Sequence, residues 1–238
     1  MAAKPRECRA RVIALRSPAA DVLEADLDMV DPAALPFEAG QWVSVPFGPK
    51  TVRAYSIASP STTPARITLC ADVGPGGIGS RWFRDLRPGA EVAFKGPLGG
   101  FVWAAGEARR PLLVAEEIGV VPIRSILASL EAGDLARTDR PARLIQWARA
   151  PAWLLYAAEF ESLARRVPGF AYDPVVRSAG TTWPGLHGEV VETVGRLVTE
   201  VTGLVAYVAG SQATIHGVRD LLVARGLDRK AVKWERFW

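Results

Sequence analysis

The feature that most constrains this chain is a change in hydrophobic period about two-fifths of the way along. From residue 8 to 95 the apolar residues fall in short runs that suit strands at 11–16, 22–29, 41–47, 52–58, 66–72 and 91–96. Turn clusters such as Asp31-Pro32, Gly48-Pro49 and Ser59-Pro60 separate them. Six short strands with one short helix, expected at 80–86, predict a small six-stranded antiparallel β-barrel. From Pro111 onward the texture alternates. Residues 112–115 form the unbroken apolar run of a strand buried on both faces. A helix with Ile123, Ile126, Leu127 and Leu130 on one face follows. Further strands fit 143–147, 172–177, 205–209 and 232–234, and helices fit 153–165, 189–198 and 213–225, the last stopped by Gly226. This alternation predicts an α/β doubly wound parallel sheet. Two domains are expected, 1–105 and 106–238.

Composition narrows the functional classes. The 238 residues are 49% hydrophobic, enough for a core in each domain, and the net charge of +4 is spread without a basic tail or stripe. Nucleic acid is therefore not an expected target. Cys8 and Cys70 cannot supply a zinc site or an iron–sulfur cluster, and a disulfide framework is not expected. No apolar segment follows the charged N-terminus as in a signal peptide. The uncharged stretch 201–218 is broken by three glycines and by Ser211, Gln212 and His216, so no membrane insertion is expected. The expected location is the cytoplasm.

Three motifs carry chemistry. Arg53-Ala54-Tyr55-Ser56 lies on an expected strand, with Arg53 and Tyr55 on one face and Ser56 on the other. A guanidinium there suits a diphosphate oxygen, and a phenol ring suits a planar cofactor. Gly74-Pro75-Gly76-Gly77-Ile78-Gly79-Ser80 precedes the short helix, where bare N–H groups make an anion site; a tight connection capped by Ser80 is the plainer alternative. Gly96-Pro97-Leu98-Gly99-Gly100-Phe101 closes the first half.

In this order and spacing the motifs resemble the flavin-binding domain of the ferredoxin–NADP reductase family. The resemblance continues through Val121-Pro122-Ile123-Arg124-Ser125-Ile126-Leu127, then Arg149 with Leu155-Tyr156 and Glu159-Phe160. It ends on Tyr207-Val208-Ala209-Gly210-Ser211 and Trp234-Glu235-Arg236-Phe237-Trp238, similar to the bacterial oxygenase-reductase branch. It implies FAD as cofactor, NADH or NADPH as co-substrate, and electron transfer to a ferredoxin, a flavodoxin or an oxygenase component. Arg53, Gly76, Gly77 and Ser80 would hold the flavin pyrophosphate, and Tyr55 and Ser56 would lie against the isoalloxazine, with the Ser56 hydroxyl at its N5 edge and Ala54 beside them. The backbone of Leu69, Cys70 and Ala71 would line the flavin mononucleotide portion. Phe237 or Trp238 would cover the reacting ring, with Ser56, Glu235 and Trp238 as its catalytic neighbours. Gly119, Pro122, Arg149, Ser178 and Gly210 would form the nucleotide site.

That nucleotide site departs from the family pattern. Where the family reads Gly-Gly-Thr-Gly-x-x-Pro, this chain has Glu116-Glu117-Ile118-Gly119-Val120-Val121-Pro122. Two readings follow. The glutamates turn outward and ordinary hydride transfer survives, or the site is degenerate and the chain is a flavin-holding subunit of a larger redox complex. A free-flavin reductase is a third possibility. Arg177-Ser178 replaces the Ser-Arg order that suits a 2′-phosphate, which favours NADH. His187 and His216 lack companions at metal spacing, and Asp21, Glu24, Asp26 and Asp28 read as a solvated strand face.

Overall fold

A computed structural model describes residues 4–104, 106–130, 135, 141–177 and 183–237. The chain divides into two compact units, Met1–Ala104 with Arg124–Ser129, and Ala105–Ile123 with Leu130–Trp238.

The first unit is a six-stranded antiparallel sheet. Its strands are β1 (Arg6–Ala19), β2 (Val22–Asp31), β3 (Trp42–Pro46), β4 (Val52–Ser56), β5 (Arg66–Asp72) and β6 (Glu91–Leu98), in the order β4-β3-β6-β1-β2-β5. The two edge strands meet through an Ile57–Leu69 bridge, and the Ala58 N–H donates to the Thr68 carbonyl at 2.8 Å. The sheet therefore closes on itself as a barrel, which removes its exposed edges over that stretch. Inside lie Val12, Leu27, Val43, Ile57, Ile67 and Phe94, each 1% exposed or less. One helix, α1 (Ile78–Asp85), buries Phe83 and follows the glycine-rich loop.

Cross-strand chemistry corrects one expectation. Glu24 and Asp26 are not a solvated face, because β2 is flanked on both sides. Glu24 stands opposite Arg16 on β1, and Asp26 opposite Thr68 on β5. Arg16 Nε reaches Glu24 Oε2 at 3.1 Å, and Glu24 is only 5% exposed. Arg16 Nη2 donates to Asp26 Oδ1 at 2.8 Å, and Thr68 Oγ1 donates to the same oxygen at 2.7 Å. Asp28 and Asp21 remain outside, paired with Arg66 and Arg84.

The second unit is a six-stranded parallel sheet. Strands β7 (Arg110–Glu116), β8 (Ala142–Ala148), β9 (Phe170–Val176), β10 (Leu186–His187), β11 (Leu204–Gly210) and β12 (Val232–Arg236) run in the order β10-β9-β8-β7-β11-β12. Among its helices are α3 (Ala157–Arg166), α4 (Val190–Leu197) and α5 (Gln212–Ala224); α2 (Val120–Leu130) follows β7, and its residues Arg124–Ser129 group with the first unit. Helices α4 and α5 pack Val190, Val194, Ile215, Val218 and Leu222 onto one face. On the other face, Phe160 of α3 stacks against Tyr172 of β9 at 5.5 Å. The sheet is thus doubly wound. The chain moves outward from β7 to β10 and then returns to β11 on the other side of β7. Strand order reverses at β7, and in such sheets the crevice beyond the strand ends at that point receives ligands.

The helix expected at 153–165 is interrupted. A 3-10 turn (Pro151–Trp153) comes first, Tyr156 sits at φ 61, and the α-helix begins at Ala157. Buried Gln146 explains the break, since its Nε2 donates to the Leu155 carbonyl at 3.0 Å and fixes that carbonyl outside the helix. The two-residue strand β10 carries no period and was not expected.

Asp26 gives this fold a definite acid response. Hydrogen bonds from Arg16 hold its carboxyl below the usual carboxylate range, against the opposing effect of burial. Its contribution is fully present above the unfolded pKa near 4 and is lost as pH falls through the depressed native value. Asp26→Asn should cost about 1 kcal/mol at neutral pH, screened by partial exposure, or about 2–4 °C in Tm. Thermal melts of both proteins should converge as the pH falls well below the unfolded pKa and through the depressed native one; a gap that persists undiminished would contradict the assignment.

Candidate functional site

In the barrel unit the first two motifs form one cradle. Gly79, inside the first turn of α1, sits so close to β4 that a Cβ there would lie 2.6 Å from Tyr55 Oη and 3.1 Å from Arg53 Cγ. Any side chain at 79 would push the helix start off the strand. Arg53 and Tyr55 therefore share a face, although Arg53 is exposed and Tyr55 only 7% exposed. The Tyr55 ring is enclosed by Trp82 and Phe83, each 5.5 Å away between centroids. Its hydroxyl is buried and has no hydrogen-bond partner among the described residues. Burial without a partner pushes the phenol up to about 12, so it stays protonated and able to donate.

The helix start is open. Its N-cap is Gly77, in extended conformation and with no side-chain cap; Ser80 lies within the first turn, so it does not cap the helix. First-turn N–H groups have no acceptor within their own helix. No acidic residue occupies that turn, and a Cβ at Gly76 or Gly77 would meet nothing within 4 Å. Arg81 Nη1 donates to the Gly76 carbonyl at 2.9 Å and so fixes a second cation against the loop. Bare N–H groups, two guanidiniums and an orphaned hydroxyl suit a diphosphate. Leu69, Cys70 and Ala71 are buried on β5, which has β2 alone as its laddered neighbour. Ser56 is 6% exposed at the end of β4, and Ala54 is exposed beside it.

In the second unit the strand ends are already occupied. Glu116 ends β7, and its Oε2 accepts from the Ser211 N–H, at the start of α5, at 2.7 Å. Gly210 makes this possible, because a Cβ there would lie 2.6 Å from Glu116 Cβ. Glu117 turns the other way, at φ 47. It accepts from Arg149 N at 3.2 Å, Nε at 2.9 Å and Nη2 at 2.9 Å. The Arg149 guanidinium lies 3.8 Å above the centre of the Trp153 ring. Neither glutamate points outward. Gly119 is buried against the Ala209 carbonyl, and Pro122 is buried in α2.

Other expected site residues sit elsewhere. Glu235 on β12 pairs in register with Ala209 of β11, and the Phe237 N–H donates to the Gly210 carbonyl at 3.1 Å. Ser178 and Trp238 lie outside the described residues. Arg177 is held over Trp147 at 4.7 Å and paired with Glu189 at 3.2 Å. The sequence reading passed over Arg81 and Trp153. A cation directly after a glycine loop, and an aromatic four residues beyond an arginine, were the available signals.

The oxidoreductase FAD-binding domain family matches residues 10–103. The ferredoxin–NADP reductase B of Sorangium cellulosum is 34% identical over 239 residues, covering 96% of both chains. The reductase component of the naphthalene 1,2-dioxygenase/salicylate 5-hydroxylase systems of a Ralstonia species is 31% identical over 80% of this chain, which spans 57% of that protein. The crystal structure of an Amycolatopsis cytochrome P450 reductase shares the fold, with a TM-score of 0.87 at 24% identity over 98% of this chain and 70% of that one. The chain belongs to the ferredoxin–NADP reductase family of FAD-dependent oxidoreductases.

Proposed function

We propose that this chain is the flavoprotein reductase of an electron-transfer system, passing reducing equivalents from NAD(P)H to a separate ferredoxin or oxygenase component. The observation that carries the flavin half is the Arg53–Tyr55–Gly79 cradle, whose orphaned hydroxyl and uncapped helix start fit a diphosphate-bearing cofactor. FAD, when bound, lets a two-electron donor serve one-electron acceptors. The chain supplies binding and orientation. In this reading Arg53, Gly76, Gly77 and Ser80, with Arg81 behind them, hold the pyrophosphate. Tyr55 offers its hydroxyl, and its ring packs against Trp82 and Phe83. Ser56 adds a second hydroxyl, and the edge of β5 at Leu69, Cys70 and Ala71 lies along the mononucleotide portion. The relatives support the acceptor class: one is named for ferredoxin, the other is the reductase component of dioxygenase and hydroxylase systems.

Anaerobic mixing tests the reading directly. NADH or NADPH should bleach the visible flavin band of the purified yellow protein, and an oxidised ferredoxin should restore it. A purified protein that neither carries nor takes up FAD would refute it.

Tyr55→Phe separates the cofactor's demand from the fold's. Deleting an unsatisfied buried hydroxyl should stabilise the apoprotein by about 1 kcal/mol, while losing a donor to FAD should weaken cofactor binding about tenfold. Apoprotein melts and FAD titrations report the two effects. Unchanged FAD affinity would remove Tyr55 Oη from the site.

A further inference from the structure

The carboxyl edge of the parallel sheet holds two groups that attract anions. One is the N–H of Ser211, the N-cap of the 13-residue helix α5. The other is the Arg149 guanidinium, beyond the end of β8. Both are already engaged by carboxylates of this chain, Glu116 on the first and Glu117 on the second. Two adjacent residues at the end of β7 thus reach to opposite sides and staple the ends of β11, β7 and β8. These three strands flank the point where strand order reverses, the place where a dinucleotide pyrophosphate is received in such sheets.

The staple is built in rather than incidental. Glu117 adopts a positive φ, an uncommon conformation for a residue with a side chain. Its side chain is 13% exposed while that of Arg149 is 49% exposed, so one side of the guanidinium is open to an incoming anion. Gly210 has no room for a Cβ beside Glu116.

We propose that Glu116 and Glu117 act as an internal anion that NAD(P)H must displace, and so set the chain's affinity for the nucleotide. This rests on the reading that NAD(P)H is the donor. A diphosphate approaching the open side of the guanidinium can take the Arg149 Nε and Nη2 donors only as Glu117 releases them, and the carboxylate beside it repels it throughout. The competition concerns the diphosphate that NADH and NADPH share, so it weakens both alike. It leaves discrimination between them to other residues.

The test uses the oxidised FAD-loaded protein and measures Kd for NAD⁺ and NADP⁺ by calorimetry, with KM for NADH and NADPH alongside. Glu117→Gln should tighten both Kd values about tenfold and by the same factor, with KM falling in parallel. Glu116→Gln, which keeps every Arg149 bond, gives an independent reading at Ser211 and should also tighten both. Adding Arg149→Ala to Glu117→Gln should abolish the gain, because the freed guanidinium is what the nucleotide acquires. Variants with wild-type Tm and flavin absorbance that bind neither nucleotide more tightly would overturn the proposal. If wild type is not reduced by either nucleotide but the glutamine variants are, the displacement idea stands. If none is reduced, the NAD(P)H reading itself fails, and the proposal with it.

Discussion

Every residue of β11 from Leu204 to Gly210 is buried, as are Pro111 to Ala115 of β7. A parallel sheet covered by helices on both faces has no surface left for chemistry, so function is confined to its strand ends. The residues that end β7 and start the chain beyond β11 therefore decide what the second unit can bind. In this chain those positions hold Glu116, Glu117 and Ser211, and the carboxylates turn inward to the nearest donors. Burying an unpaired carboxylate is costly, whereas a carboxylate accepting two or three N–H bonds is stable at low exposure. Once glutamates stand at this edge, the local donors must serve them.

The barrel unit meets the opposite constraint. Its antiparallel strands need only one buried face, and the other can carry ion pairs such as Arg16 with Glu24 and Asp26. Binding groups can then lie along a strand as well as at its end. Arg53 and Tyr55, two apart on β4, meet the helix start through Gly79. The contact is tight enough to enclose the phenol and leave its hydroxyl without a hydrogen-bond partner among the described residues. Such an orphan is expected where a ligand completes the structure.

Much of this was legible from local pattern. Short apolar runs and turn clusters located the six barrel strands, and the continuous apolar run at 112–115 located β7, because strand burial is written into neighbouring residues. Contacts between distant residues left no such trace. The bond from Ser211 to Glu116 spans 95 positions, and the cross-strand pairing that buries Glu24 depends on register with β1. Periodicity at 153–165 was real, since Phe160 and Leu163 are buried, yet a side chain from β8 claimed the Leu155 carbonyl and delayed the helix. Tertiary hydrogen bonds overrode propensity there. The glutamates were conspicuous as departures from a glycine motif, but their direction could not be read, because it is set by donors on two other strands' continuations.

Two helix starts in this chain, α1 and α5, offer the same physical asset and are treated differently. At α1 the cap is a glycine, the first turn has no acid, and Arg53 and Arg81 add positive charge. At α5 the Ser211 side chain caps Thr214 N at 3.2 Å, and Glu116 takes the Ser211 N–H. The helix dipole and free N–H groups favour an anion at both of these starts. At α1 no side chain caps the start, so that preference is left open. At α5 the protein has met it internally, so an external anion must displace a carboxylate and gains only the difference. A cofactor retained through many turnovers suits the first arrangement. A co-substrate that must arrive and leave in each turnover suits the second.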